Sequence, residues 1–137
     1  MMILLLLAFQ AAPEVQRVPF PDPRIVVSGL PWFNEDTPVL RRLPMRLKDT
    51  FRPPVWGLAQ HPSGGRLRFR SDSLQVGILA ESPDGSVMHH ITSIGQSGFD
   101  LYVDGEYFNS AWPDKDRKIA KTWTVAAERK LRDFTIY

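Results

Sequence analysis

A serine between two glycines, Ser97 in the stretch GQSGF, has the surroundings of a catalytic nucleophile. The nucleophile elbow of α/β-hydrolases reads Gly-x-Ser-x-Gly, and its serine lies on a strained turn that follows a strand and precedes a helix. In this chain Gly98 follows the serine at once, and the apolar runs FDLYV and EYF come next. We therefore predict that Ser97 lies in a glycine-flanked turn that enters a strand and is not a nucleophile.

Histidine is scarce, with only His61, His89 and His90 present. The adjacent pair in MHHI could point to opposite sides of a strand, one packed and one solvated, or one could be a ligand or substrate contact. A zinc site needs three or four ligands. Because His61 in AQHPSG has no spacing relation to the pair and cysteine is absent, we predict no metal site and no cofactor.

The segment RLRFR alternates strictly between basic and apolar residues. This period of two predicts a half-buried strand with Leu67 and Phe69 inward and with Arg66, Arg68 and Arg70 outward. Alternating arginines are usual on the solvated face of a strand, but they could also contact an anionic ligand or another domain. Both interpretations stay open at this point.

Exposed aromatic rings are the usual means by which a β-sandwich stacks on sugars. Trp56, Trp112 and Tyr107 are the candidates here. Burial in the core is the more common fate of such residues in a domain of this size, so the core interpretation is favoured for the two tryptophans.

The chain has 137 residues, of which 43% are hydrophobic, enough for one domain with a core. Its 12 prolines and 9 glycines leave few windows long enough for a helix, which favours β structure. The net charge of +2 comes from nearly balanced acids and bases and argues against nucleic-acid binding.

Several short segments are predicted to form strands. LQVGILAE, from Leu74 to Glu81, is one, and SPDGS after it has turn chemistry. FDLYV and EYFNSAW are predicted to form a hairpin around Asp104 and Gly105. TWTVAA and FTIY are β-prone, whereas PDKDRKIAK is predicted to be an exposed loop. Together they predict an all-β fold, an antiparallel β-sandwich that is jelly-roll-like.

The N-terminal third differs from the rest. Residues 1–12 contain a short apolar run and two alanines, which predicts a signal peptide, although no basic residue precedes the run; the run is too short for a membrane span. Residues 13–54 carry nine of the prolines and predict an extended arm with RIVVSG as one strand, anchored by Trp32 and Phe33. Residues 55–137 are predicted to form the sandwich body.

Two long segments resemble a known family. RLPMRLKDTFRPPVWGLAQHPSGGRLRFRSDSLQV, from Arg42 to Val76, and MHHITSIGQSGFDLYVDG, from Met88 to Gly105, are similar to the N-terminal domain of a group of SGNH (GDSL-type) hydrolases. The resemblance implies a β-sandwich domain attached to an α/β esterase domain in exported bacterial proteins, secreted or periplasmic. In that family the nucleophile lies in a Gly-Asp-Ser block and the base in an Asp-x-x-His block, and this sequence contains neither.

The resemblance also implies further strands after the segment that matches DFTIY, so the sandwich is expected to lack its last strands and to leave an open sheet edge. We expect a non-catalytic accessory domain that packs against an SGNH catalytic domain, with ester hydrolysis, and specifically deacetylation of carbohydrate, as the activity of the whole protein. A free-standing carbohydrate-binding module and a decayed gene fragment are the alternatives. The candidates for the active-site rim or the domain interface are His89, His90, Arg66, Arg68, Arg70 and Trp56.

Overall fold

Short β-strands account for most of the regular structure. The computed structural model describes residues 16–81 and 88–137. Its strands are β1 (Val26–Ser28), β2 (Arg66–Ser71), β3 (Gln75–Glu81), β4 (Phe99–Val103), β5 (Glu106–Ala111), β6 (Lys118–Thr124) and β7 (Arg132–Ile136). Its helices are α1 (Pro53–Ala59), α2 (Ser93–Gln96) and two 3₁₀ segments, Phe33–Glu35 and Met45–Thr50. None of the helices in these two ranges has the length and apolar character that a membrane span requires.

The strands form two antiparallel sheets, a five-stranded one in the order β1-β2-β7-β4-β5 and a two-stranded one of β3 and β6. The predicted hairpin is confirmed, because Val103 pairs with Glu106 around Asp104 and Gly105, which both have positive φ. The last strand, β7, pairs with β2 on one side and with β4 on the other. Residues 132–136 are therefore central in the five-stranded sheet.

The core lies between the two sheets. Val76, Ile119 and Trp123 of the smaller sheet pack against the inward side chains of the larger one, which include Leu101 and Phe134. Leu67 and Phe69 pack against this cluster from β2, as the alternation of RLRFR predicts. Burial of apolar side chains from both sheets is the main stabilising term in such a sandwich, and the all-β antiparallel prediction is confirmed.

The second half of one predicted loop is a strand, whereas residues 113–117 form an exposed connection as expected. PDKDRKIAK was expected to be an exposed connection, yet β6 begins at Lys118 and pairs along its length with β3. Ile119 and Trp123 lie on the same face of this strand and are buried, so the segment contributes to the core although most of its residues are charged. Ile119 stands alone among charged residues, so the segment shows no clear alternation of apolar and polar residues from which a strand could be predicted.

The N-terminal segment is less extended than the prolines suggested. β1 forms as expected in RIVVSG, and Phe33 contacts Phe20 with ring centroids 5.7 Å apart. The chain then turns through a 3₁₀ segment at 45–50, and α1 begins at Pro53, so the extended prediction is wrong there. Proline is favoured in the first turn of a helix because its missing N–H would have no partner in that turn, and Arg52 before it keeps extended angles. The proposed signal peptide, residues 13–15 and the whole of SPDGS lie outside the described residues.

Candidate functional site

The outer sheet face is the side of the five-stranded sheet that points away from β3 and β6. Strand register places one row of side chains across all five strands of this face: Val26, Arg68, Thr135, Tyr102 and Tyr107. Adjacent rows contain Arg70 beside Asp133, and Tyr137 beside Asp100, which pairs with Ser110. One half of the face is thus charged and the other half is aromatic.

The charged half forms a shallow groove of about 720 Å³. Its polar lining consists of Arg24, Arg68, Arg70, Asp104, Asp133 and Thr135. The groove joins the loop before β1, the middle of β2 and β7, and the β4–β5 turn. Residues that are far apart in sequence are thus brought together only by the pairing of β2 with β7.

Most charges in this groove are already paired. The Arg70 Nε lies 2.9 Å from Asp133 Oδ1, and the Arg24 guanidinium contacts Asp22 at 2.8 and 2.9 Å. Asp104 Oδ1 accepts a hydrogen bond from the Asp133 backbone N–H at 2.9 Å. Arg68 has no ion pair or side-chain hydrogen bond with any described residue, so its guanidinium is the cation left for a partner.

The pairing of Asp22 with Arg24 can be tested by titrating the Asp22 carboxyl. Hydrogen bonds from the Arg24 side chain and backbone N–H lower the pKa of the Asp22 carboxyl to about 2. Because this folded pKa is below the unfolded one, the pair stabilises the fold above about pH 4 and loses that effect as the pH falls toward 2. We expect an NMR titration of the Asp22 carboxyl to show a midpoint near 2, and Arg24→Gln to move it toward 3.8. The same midpoint near 4 in both proteins would contradict the pairing.

The aromatic half consists of three tyrosines in edge-to-face contact. The Tyr102 ring centroid lies 5.8 Å from that of Tyr107 and 5.1 Å from that of Tyr137. Such T-shaped contacts are favourable and hold rings in place. Tyr107 is 58% exposed and Tyr137 is 48% exposed, while Tyr102 between them is half-buried.

A chain of hydrogen bonds runs beneath these rings. The Tyr107 hydroxyl lies 2.9 Å from Ser110 Oγ, and the Ser110 hydroxyl donates to Asp100 Oδ1. A serine hydroxyl has one proton, so the Tyr107 hydroxyl must be the donor to Ser110. Ser110 lies on the outer sheet face but is buried beneath these rings, with 7% of its surface exposed.

The structure brings together some of the residues predicted from sequence and separates others. Arg68 and Arg70 line the same groove, whereas Arg66 pairs with Ser28 at the other end of β2 and does not line it. Trp56 is half-buried on α1, and the Arg41 guanidinium lies 5.8 Å from its ring centroid.

The histidine pair does not lie on a strand. His89 and His90 are exposed in a turn that precedes α2, so the idea of one inward and one outward histidine is wrong. In the described ranges no group of three or more His, Asp or Glu side chains could hold a metal ion.

Ser97 is exposed at the junction between α2 and β4. A helix precedes it and a strand follows, the reverse of a nucleophile elbow. Sequence analysis missed the other residues of the outer sheet face, namely Arg24, Asp100, Tyr102, Ser110, Asp133 and Tyr137.

Fold and surface together define an antiparallel β-sandwich domain with a mixed tyrosine and arginine face. A solved structure of a GDSL-like lipase from Bacteroides ovatus is similar, with a TM-score of 0.71 and 19% sequence identity; the match covers 83% of this chain and 34% of that one. The chain therefore spans about a third of the length of that structure. A search of curated proteins finds none that matches. A family model described as GxDLY, the N-terminus of SGNH-hydrolase-type esterases, matches residues 20–137, and the chain belongs to this family.

The letters of the family name are present in this chain as Gly98 to Tyr102, GFDLY. Each of the four residues that the motif specifies has a different structural role. Gly98 lets β4 approach the Ala111 carbonyl, Leu101 is fully buried in the core, Asp100 accepts from Ser110, and Tyr102 is the central ring of the aromatic half. The motif thus connects the core to the outer sheet face.

Proposed function

We propose that this chain is the non-catalytic N-terminal domain of an exported SGNH-type esterase and that it packs against the catalytic domain of the same polypeptide. The observation that carries the proposal is the family match over residues 20–137, which belongs to the N-terminus of such esterases. The sequence contains no Gly-Asp-Ser or Asp-x-x-His block that could act as nucleophile or base. Ester hydrolysis is then the work of another domain.

The charged half of the outer sheet face is the surface that we assign to this packing. Interfaces between domains of one chain are more polar than permanent ones and are rich in arginine at their centres. Arg68 suits that position because its guanidinium has no partner among the described residues, whereas Arg24 and Arg70 beside it are already neutralised by Asp22 and Asp133. A carboxylate of the catalytic domain would pair with it.

Export is proposed from the sequence alone. The apolar run MILLLLAF and the alanines that follow it have the length of a signal peptide core. Its structure lies outside the described residues, and the absence of cysteine is compatible with either an oxidising or a reducing compartment.

The packing is tested by reversing one charge. In the polypeptide that contains both domains, we expect Arg68→Glu to separate a single calorimetric unfolding transition into two, because a carboxylate would now face a carboxylate. Activity toward 4-nitrophenyl acetate should fall by about tenfold or less, since no catalytic group is lost.

Lys121→Glu is the matched control, because this exposed lysine lies on β6 in the other sheet and has the same charge change. It should leave the single transition intact. If both variants behave like the unmodified protein, the charged half does not contact the catalytic domain.

A further inference from the structure

Tyr107 is oriented in an unusual way for a surface tyrosine. Such a residue ordinarily packs its ring on the protein and points its hydroxyl to water. Here the hydroxyl is bonded to Ser110, which is 7% exposed, while 58% of the tyrosine surface remains accessible. Because the hydroxyl is engaged by Ser110, we infer that the apolar ring contributes most of the Tyr107 surface that meets the solvent.

The ring is also fixed in this position. It makes an edge-to-face contact with Tyr102, and its hydroxyl donates into the chain that ends on the Asp100 carboxylate. A ring that is held at both ends loses little conformational freedom when a ligand covers it, which favours binding. Exposed apolar surface that is held rigid in this way has no evident structural use.

A polar group stands beside the ring. Asp100 accepts from Ser110 through Oδ1, and it has no ion pair with any described residue. Its other oxygen, Oδ2, remains an acceptor at the surface. An apolar platform with one or two acceptors next to it is the usual make-up of a site for a small polar molecule with an apolar face.

We propose that Tyr107 and Asp100 form a binding site for a pyranose ring of a polysaccharide. The C–H face of the sugar would stack on Tyr107, and its hydroxyls would donate to Asp100. A protein partner suits the site less well, because covering an unpaired carboxylate with protein carries a large desolvation penalty, whereas a sugar brings hydroxyl donors of its own.

The position of this site extends the proposed function. Tyr107 on β5 lies three strands from Arg68 on β2, about 14 Å at the usual strand spacing. A glycan held there would lie next to the proposed domain contact. The substrate class of the whole protein would then be an esterified polysaccharide. This assignment rests on the proposed function. Sugar binding itself is measured on this chain without a catalytic domain.

The experiment titrates the 137-residue chain with cellohexaose, xylohexaose and mannohexaose, plain and partially O-acetylated, by calorimetry and by amide NMR shifts. We expect at least one sugar to bind and to shift amides of β4 and β5. Tyr107→Ala should weaken binding by about tenfold or more and Asp100→Asn by several-fold. Tyr107→Phe, which keeps the ring, should lose less than Tyr107→Ala.

Trp112→Ala is the matched control, since this residue follows β5 and is 52% exposed. It should leave the affinity unchanged, and all variants should unfold cooperatively. Absence of binding to every sugar by the folded chain overturns the proposal, and so does equal loss in Trp112→Ala and Tyr107→Ala. If no sugar binds and Tyr107→Ala separates the two unfolding transitions of the two-domain polypeptide, the tyrosines belong to the domain interface instead. Arg68→Glu should not alter sugar binding, so the two proposals can fail independently.

Discussion

Replacing Gly98 with alanine is expected to destabilise the domain by about 3 kcal/mol or more. Gly98 has a φ of +152°, which side chains rarely adopt, and a Cβ there would lie 2.5 Å from the Ala111 carbonyl oxygen. That oxygen belongs to the backbone of β5, the direct partner of β4, so it cannot move without disturbing the pairing of Phe99 with Ala111. Strain and steric conflict therefore add at this position.

Gly105→Ala separates the two effects. Gly105 also has a positive φ, +88°, but no atom would lie within 4 Å of an added Cβ. It should cost only the conformational strain, about 1 kcal/mol. Urea denaturation of the two variants gives both values, and equal losses would show that the close approach of β5 to Gly98 does not matter.

Local signals predicted the elements whose partners are close in sequence. The alternation of RLRFR placed Leu67 and Phe69 inward, and the pair Asp104 and Gly105 marked the hairpin, because a two-residue turn restricts which residues can occupy it. Both features are confirmed by the structure. The family resemblance was likewise carried by contiguous stretches of sequence, and the family match bears it out.

Non-local pairing explains what could not be predicted. FTIY was recognised as β-prone, yet nothing in those residues indicates that β7 inserts between β2 and β4. β2 lies more than 60 residues earlier in the chain, and β4 lies about 30 residues earlier. The candidate site depends on that insertion, since it places Asp133 beside Arg70 and Tyr137 beside Tyr102. Alternation could have assigned Asp133, Thr135 and Tyr137 to one face, but their neighbours are set by register.

α1 was missed for a different reason. Prolines were taken as evidence of extended structure throughout the N-terminal segment, although proline in the first helical turn is compatible with a helix. In FRPPVWGLAQ the two prolines are followed by five helical residues, of which only Gly57 disfavours a helix. The position of a proline relative to the residues after it matters more than the number of prolines.

Phe134→Ala should be the most damaging single truncation of the core. Phe134 is 1% exposed on the central strand β7, and its ring stacks on Phe69 with centroids 5.2 Å apart. Removing a buried phenylalanine typically costs about 3–5 kcal/mol, through lost apolar burial and the cavity left behind. Total stability of a domain of this size is about 5–15 kcal/mol, so the variant should be partly unfolded at 37 °C.

Thr135→Ala is the control for this effect, because the neighbouring residue is on the same strand but points to the outer sheet face. It should change the unfolding free energy by about 0.5 kcal/mol or less. Trp123, buried in the same cluster as Phe134, provides a fluorescence signal for the urea transition. A Phe134→Ala midpoint close to that of Thr135→Ala would mean that β7 does not join the two halves of the five-stranded sheet through this ring, and the outer sheet face would then lack the rigid support on which both proposed binding surfaces depend.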